Sequence, residues 1–118
     1  MANLHTRNTA CLALAYLCLV PTVQAAGTVT TTIASVRADT DGKGIIEFAQ
    51  PVGGTPPGCV ASGFGSMMSF NANNVGGKAV LAVALAAKAA GTQVFAAGAG
   101  TCTHYSNTIE DISYLLQR

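Results

Sequence analysis

The polar run Thr-His-Tyr-Ser-Asn is the segment whose side chains are best suited to chemistry. It comprises Thr103, His104, Tyr105, Ser106 and Asn107. Histidine and tyrosine rings present flat faces that can stack on a sugar, and hydroxyl and amide groups can bond to sugar hydroxyls. We therefore predict a ligand-binding loop here. The alternative interpretation is a solvated turn beside Cys102.

The same run is poorly arranged for catalysis. Ser106 and His104 are close in sequence, but a catalytic triad also needs an acid that orients the imidazole. Glu110 and Asp111 are only general candidates for that acid, and the segment 63–66 lacks the Gly-x-Ser-x-Gly form of a nucleophile elbow. We predict no catalytic residues and no enzymatic activity. A small hydrolase that uses His104 is kept as an alternative hypothesis.

A second polar segment, Asp39–Gly42, is faintly similar to a calcium-binding loop. Such a loop needs further oxygen ligands and a closing acidic residue. Arg37 and Phe48 stand where the EF-hand register would want acids. We interpret the segment as a turn, and predict neither a metal site nor a cofactor.

Composition limits the remaining classes. The chain has 118 residues, which suits one domain, and only 9% of them are charged, with a formal net charge of +1. This composition excludes an intrinsically disordered chain and a protein that binds nucleic acid through net charge. No cluster combines basic and aromatic residues, so we expect no nucleic-acid partner. Low charge gives little colloidal protection, so we expect a homo-oligomer.

The N-terminal segment Met1–Ala25 has the pattern of a secretory signal peptide. Its apolar stretch, Thr9–Val20, is too short to span a bilayer. Val23 and Ala25 occupy the two positions that a signal peptidase reads. We predict cleavage after Ala25, with Ala26 as the alternative; an uncleaved membrane anchor is the competing interpretation. The sequence thus predicts a secreted or periplasmic protein whose single domain is 26–118, without a membrane span after cleavage.

Cysteine usage agrees with export. Cys11 and Cys18 lie in the signal segment, which leaves Cys59 and Cys102. An even number of cysteines outside the cytoplasm favours a disulfide, so we predict that these two pair. Two free buried thiols or a metal-binding pair are the alternatives.

Residue patterns predict five strands and one helix after the signal segment. The predicted helix, Lys78–Ala90, is rich in alanine and leucine and is followed by Gly91. The last strand has a short C-terminal helix as its alternative. The predicted strands are Gly27–Arg37, Ile45–Ala49, Ser66–Ala72, Thr92–Cys102 and Ile109–Gln117.

Three strands, a helix and two strands is the order of an OB-fold. We therefore predict a mainly β domain, a five-stranded Greek-key barrel with one helix and one disulfide. The chain resembles small exported bacterial OB-fold proteins, in particular the B subunits of AB5 toxins of the subtilase-cytotoxin and pertussis-like group. The likeness lies in the exported start, Cys59 near the third strand, and the helix Lys78–Ala90 that runs through Gly91–Val94 into a strand.

The resemblance implies glycan binding and assembly into rings of five subunits. No functional residue is carried over from that group. A dimer packed on the alanine-rich helix is an equally open alternative. We expect a non-catalytic binding module that recognises a glycan or another protein. The alternative function is a structural or accessory protein of the cell envelope that binds a protein partner.

Overall fold

The computed structural model describes residues 25–118. The predicted signal peptide lies outside this range except for Ala25, so it stays a prediction, as does the fate of Cys11 and Cys18. The described part contains seven strands and one helix. The elements are β1 Gly27–Thr31, β2 Ile33–Ala38, β3 Lys43–Phe48, β4 Gly53–Gly54, β5 Met67–Asn71, α1 Val75–Ala90, β6 Val94–Gly98 and β7 Glu110–Gln117.

The domain is mainly β with one helix, as predicted, but the number of strands is not five. The strands form one seven-stranded sheet in the order β2-β3-β5-β7-β6-β1-β4, which is not closed. The predicted first strand, Gly27–Arg37, divides at Thr32. Its first part, β1, pairs with β6, and its second part, β2, pairs with β3. The break at Thr32 allows the chain to change direction between these two pairings. The two-residue strand β4 lies outside the predicted strands and pairs with the start of β1.

The predicted turn at Asp39–Gly42 is confirmed, and it joins two strands of a hairpin. β2 and β3 are antiparallel, and residues 39–42 form the turn between them. Gly42 has a φ of 88°, a backbone conformation that glycine adopts easily, and its amide donates to the Asp39 carbonyl. Asp41 Oδ1 accepts from the Lys43 amide, so the aspartate stabilises the turn itself.

The core lies between the inner face of the sheet and one side of the helix. Ile46, Met68 and Phe70 come from the adjacent strands β3 and β5 and are at most 1% exposed. Ala84 and Ala87 cover them from α1. Burial of each large side chain stabilises the fold by about 1.5–3 kcal/mol, so these residues dominate the hydrophobic contribution.

Helix α1 begins three residues before the predicted start. Asn74 is its N-cap, and the side chain of Asn74 accepts from the Gly77 amide at 2.7 Å. Gly77 lies so close to the end of β5 that a Cβ atom there would be 1.7 Å from the Asn71 carbonyl oxygen. Gly91 ends the helix in the left-handed conformation, as predicted. The buried residues of the helix are small, Gly77, Ala84 and Ala87, whereas Leu81 is partly buried against the core and Leu85 is 52% exposed.

The C-terminal half confirms the strand interpretation. β7 pairs antiparallel with β6 over most of its length. It also pairs in parallel with β5, but only where Met68 and Ser69 oppose Glu110 and Asp111. The predicted strand Thr92–Cys102 is shorter than expected, since β6 ends at Gly98.

The predicted disulfide is confirmed. Cys59 and Cys102 are bonded, with a Cα–Cα distance of 6.1 Å and a sequence separation of 43. The bond joins the loop that precedes β5 to the segment between β6 and β7. Within residues 25–118, no helix has both the length and the apolar character needed to cross a membrane.

Candidate functional site

Asp111 organises the segment in which the binding residues were predicted. Its side chain is 7% exposed and lies at the start of β7. It accepts hydrogen bonds from Thr101 Oγ1 at 2.8 Å, from the amide and hydroxyl of Thr103 at 2.9 and 2.6 Å, and from the His104 amide at 3.0 Å. Ser69 Oγ on β5 donates to it as well, at 3.1 Å. One buried carboxylate therefore fixes the entrance of the 103–107 loop to two strands.

These hydrogen bonds also set the charge of Asp111. Burial by itself raises the pKa of a carboxyl group, because the charged form loses its hydration. Donation from Thr103, His104 and Thr101 outweighs that effect and lowers the pKa of Asp111 to about 2. Asp111 is thus an anion at any pH at which the protein would work.

His104 lies beside this anion. Its Nε2 atom is 3.8 Å from Asp111 Oδ1, and its side chain is 23% exposed. That distance is too long for a hydrogen bond. His104 and Asp111 form an ion pair only when the imidazole is protonated. The main chain of His104 is fixed while its ring remains accessible at the surface.

The hydroxyl of Tyr105 is bonded within the protein, and Tyr105 does not line the cleft that is described below. Its hydroxyl donates to Asp39 Oδ2, and Arg37 binds the other oxygen of that carboxylate at 2.6 Å. Burial, followed by the bond to Asp39, raises the pKa of Tyr105 to about 12. The phenol therefore links the loop to the end of β2.

The remaining two residues of the predicted cluster face solvent. Ser106 and Asn107 are exposed, and Asn107 has a φ of 50°, which an asparagine tolerates in a tight turn. The Asn107 amide donates to the Cys102 carbonyl, and the Ser106 carbonyl accepts from Thr108 Oγ1. The five predicted residues therefore differ in what they can offer a ligand: the hydroxyls of Thr103 and Tyr105 are bonded to Asp111 and Asp39, whereas the side chains of His104, Ser106 and Asn107 remain accessible.

His104 forms part of a cleft between the start of α1 and β7. The cleft has a volume of about 180 Å³. Its polar side chains come from Asn71, Asn74, His104 and Ser113. Its apolar lining comes from Phe70, Val80 and Ile112, with Gly76 and Gly77 supplying main chain.

Three of these polar residues were missed as site residues from the sequence. Asn74 precedes the predicted helix, and Asn71 and Ser113 lie in two of the predicted strands. Each lies far from His104 along the chain. The N-cap pattern of Asn74 before a glycine pair was the available signal for its position, but nothing in the local sequence placed it beside His104.

The chemistry of the cleft is that of neutral hydrogen bonding. No arginine, lysine or carboxylate side chain lines it. Ser106, the hydroxyl first considered with His104, does not line it either. Within residues 25–118, no group of three histidine, cysteine or acidic residues could hold a metal ion.

A second buried carboxylate lies next to Asp111. Glu110 is 1% exposed and accepts from the amides of Gly27, at 3.0 and 3.2 Å, and of Gly100, at 3.1 Å. A Cβ atom on Gly98 would lie 2.0 Å from Glu110 Oε1, so glycine at that position is needed to accommodate the carboxylate. Glu110 thereby joins the start of β1 to the segment that follows β6.

The chain was compared with protein-family models, with curated proteins and with solved structures. No match was found in any of the three. The site must therefore be interpreted from its own geometry.

Proposed function

We propose that this protein is an exported, non-catalytic binding module that holds one neutral sugar residue in the cleft beside His104. The observation that supports this proposal is the convergence of two amides, an imidazole and a hydroxyl on a small cleft with an apolar wall. Sugar rings combine apolar C–H faces with hydroxyls that both donate and accept, so such a mixture complements them.

The two asparagines are pre-oriented for this role. Asn74 Oδ1 accepts from the Gly77 amide, and Asn71 Oδ1 accepts from the Asn73 amide. These bonds use the carbonyl side of each amide, so the amino groups are available as donors to a ligand. Because the side chains are already held, binding costs little further conformational entropy.

The size and charge of the cleft limit the class of ligand that it can hold. A volume of about 180 Å³ is smaller than the range of about 300–1,000 Å³ typical for drug-sized ligands, so we infer one sugar ring and not a long oligosaccharide. No cationic lysine or arginine lines the cleft, which favours a neutral sugar over an acidic one such as a sialylated glycan.

The strand order gives support at the level of the fold. When β1 and β2 are counted as one strand interrupted at Thr32, and the two-residue β4 is set aside, the order is three strands, a helix and two strands. The parallel pairing of β5 with β7 then joins the third strand to the fifth. We infer an OB-fold-like arrangement, consistent with the resemblance to AB5 toxin B subunits. The disulfide is compatible with a secreted or periplasmic location.

Glycan binding can be tested with matched variants. The disulfide-bonded protein is applied to an array of neutral and sialylated glycans, and His104→Ala and Ser113→Ala are compared with Ser106→Ala. We expect wild type to bind neutral terminal sugars. The affinity should fall at least about tenfold in the two cleft variants, because each loses a hydrogen bond to the sugar, and it should be unchanged in Ser106→Ala. No binding to any glycan, or equal loss in all three variants, would contradict the proposal.

A second candidate function is attachment to a protein partner in the cell envelope. An apolar groove adjoins the cleft, lined by Ala79, Val80 and Val83 of α1 and by Tyr114 and Leu115 of β7. Val75 is 85% exposed nearby on the helix. Crosslinking of intact cells distinguishes this function: a defined complex that is lost in Ala79→Glu and kept in His104→Ala favours the protein partner over the sugar.

A further inference from the structure

We propose that cleavage after Ala25 creates an α-ammonium group on Ala26 that serves as the counter-charge of the buried Glu110 carboxylate. The Gly27 amide donates to both oxygens of Glu110, at 3.0 and 3.2 Å. The predicted cleavage site after Ala25 is thus within two residues of Gly27, whose amide binds the most deeply buried acid of the described domain. This inference does not depend on the identity of the ligand.

Among residues 25–118, no cationic side chain forms an ion pair with Glu110. Its donors are the amides of Gly27 and Gly100. The ion pairs of the described residues involve Asp39, Asp41 and Asp111, and none reaches Glu110. A buried carboxylate without an opposite charge is expensive, even when amides bind it. A positive group close to Glu110 would therefore stabilise the folded domain.

The covalent geometry of the chain limits how far the new charge can lie from Glu110. Consecutive Cα atoms are about 3.8 Å apart, so neighbouring main-chain nitrogens are separated by no more than about that distance. Since the Gly27 nitrogen is 3.0 Å from Glu110 Oε1, the Ala26 nitrogen lies within about 7 Å of the carboxylate. An opposite charge near a carboxylate favours its ionised form.

The structure also distinguishes between the two cleavage positions. The Ala26 carbonyl accepts from the Thr55 amide at 3.1 Å, beside the pairing of β1 with β4. Cleavage after Ala26 would remove this acceptor, whereas cleavage after Ala25 keeps it. Exposure changes at the same point: Ala25 is exposed, Ala26 is half-buried and Gly27 is buried.

The reaction is an ordinary peptide hydrolysis that needs water and a signal peptidase. The C–N bond between Ala25 and Ala26 breaks, and the oxygen of water enters the new carboxylate of Ala25. The Ala26 nitrogen leaves as an amine and is protonated at neutral pH. A neutral amide nitrogen is thus exchanged for a cation at the edge of the Glu110 site.

The test begins with the full-length chain exported to a bacterial periplasm. The intact mass of the purified product is expected to correspond to a chain that starts at Ala26. A product that starts at Gly27, or one that keeps the leader, would overturn the proposal.

The purified product is then acetylated selectively at its α-amine, and thermal unfolding is compared with and without the acetyl group in wild type and in Glu110→Gln. We expect acetylation to lower the wild-type Tm by about 4 °C, the effect of a modest loss of stability in a domain of this size. In Glu110→Gln the acetylated and unacetylated proteins should have the same Tm. No effect in wild type, or an equal effect in both backgrounds, would refute the role of Glu110.

A direct titration covers the case in which Glu110→Gln does not fold. The three heavy atoms nearest to a Cβ atom built on Gly27 belong to Val52, Glu110 and Gly53, and Glu110 is the ionisable one of the three. The α-amine of wild type, followed by ¹⁵N NMR, should titrate above its usual range of about 7.7–8.0. Titration within that range would contradict the proposed ion pair.

Discussion

Glu110 and Asp111 are adjacent in sequence, and their buried carboxylates bind different parts of the chain. Glu110 holds the amide of Gly27 at the start of β1, whereas Asp111 holds the segment from Thr101 to His104. Side chains alternate between the two faces of a strand, so neighbouring acids at the start of β7 reach opposite sides. This pair joins the N-terminal strand and the candidate loop to one point of the sheet.

Replacement of Asp111 by asparagine should loosen the candidate loop. Asparagine keeps one acceptor oxygen in place of two, so its amino group replaces either the oxygen nearest to the Thr103 amide or the oxygen that binds the His104 amide, and it can accept from neither. We expect a loss of about 2–3 kcal/mol in the free energy of unfolding. Urea denaturation measures it, with Asp41→Asn on the exposed turn as the control. Equal stabilities of the two variants would show that Asp111 does not organise the loop.

The same carboxylate predicts a pH dependence. The pKa of Asp111 is about 2 in the folded chain, below the value of 3.8 for the free side chain. Its contribution to stability is therefore complete above about pH 4 and is lost as the pH falls toward 2. We expect wild type to lose about 2 kcal/mol more than Asp111→Asn across this interval. Parallel pH profiles of the two proteins would contradict this assignment.

Gly98→Ala should destabilise the domain strongly. The added methyl group would lie 2.0 Å from Glu110 Oε1 and would displace the carboxylate from the Gly27 amide. We expect a cost of about 2–4 kcal/mol, measured by chemical denaturation. Gly58→Ala is the matched control, because nothing lies within 4 Å of a Cβ atom there. A Gly98→Ala protein as stable as the control would argue against tight packing around Glu110.

Tyr105→Phe should weaken the link between the loop and β2. The variant loses the hydroxyl that donates to Asp39 but keeps the ring. We expect a loss of about 1 kcal/mol and the disappearance of a phenol that titrates near pH 12, followed by ultraviolet absorbance. Tyr114→Phe, which alters an exposed tyrosine, provides the comparison. If the phenol titrating near pH 12 persists in Tyr105→Phe, its assignment is wrong.

Reduction of the disulfide should remove a large share of the stability. The bond between Cys59 and Cys102 closes a loop of 43 residues, for which the chain-entropy model gives about 4 kcal/mol. The paired variant Cys59→Ala with Cys102→Ala should unfold at a much lower urea concentration than the oxidised protein. Addition of reductant to the double variant should change nothing further. Coincident curves for oxidised and reduced wild type would refute this prediction.

Local patterns were sufficient for most elements of the fold. The alanine and leucine content of α1, the turn before β3 and the glycine after the helix all act over a few residues, and each was confirmed. The break at Thr32 was missed because both halves have strand composition. Only the separate pairing of each half, with β6 and with β3, shows that the strand is interrupted.

The candidate site was less predictable than the fold. The residue types of Thr103–Asn107 indicated polar chemistry, but they could not show that Tyr105 binds Asp39 or that Thr103 binds Asp111. These contacts leave the hydroxyls of two of the five side chains already bonded within the protein. Asn71 and Ser113 enter the cleft because strands β5 and β7 meet beside the helix.

By itself the sequence determined the class of domain and the pairing of Cys59 with Cys102, because composition, short-range backbone preference and a count of cysteines are properties of the chain. The tertiary structure decided which polar groups remain available. Hydrogen bonds act over about 3 Å, and residues far apart in sequence reach that distance only after the strands have paired. For this reason His104, and not the whole run around it, shares a cleft with the asparagines at the start of the helix.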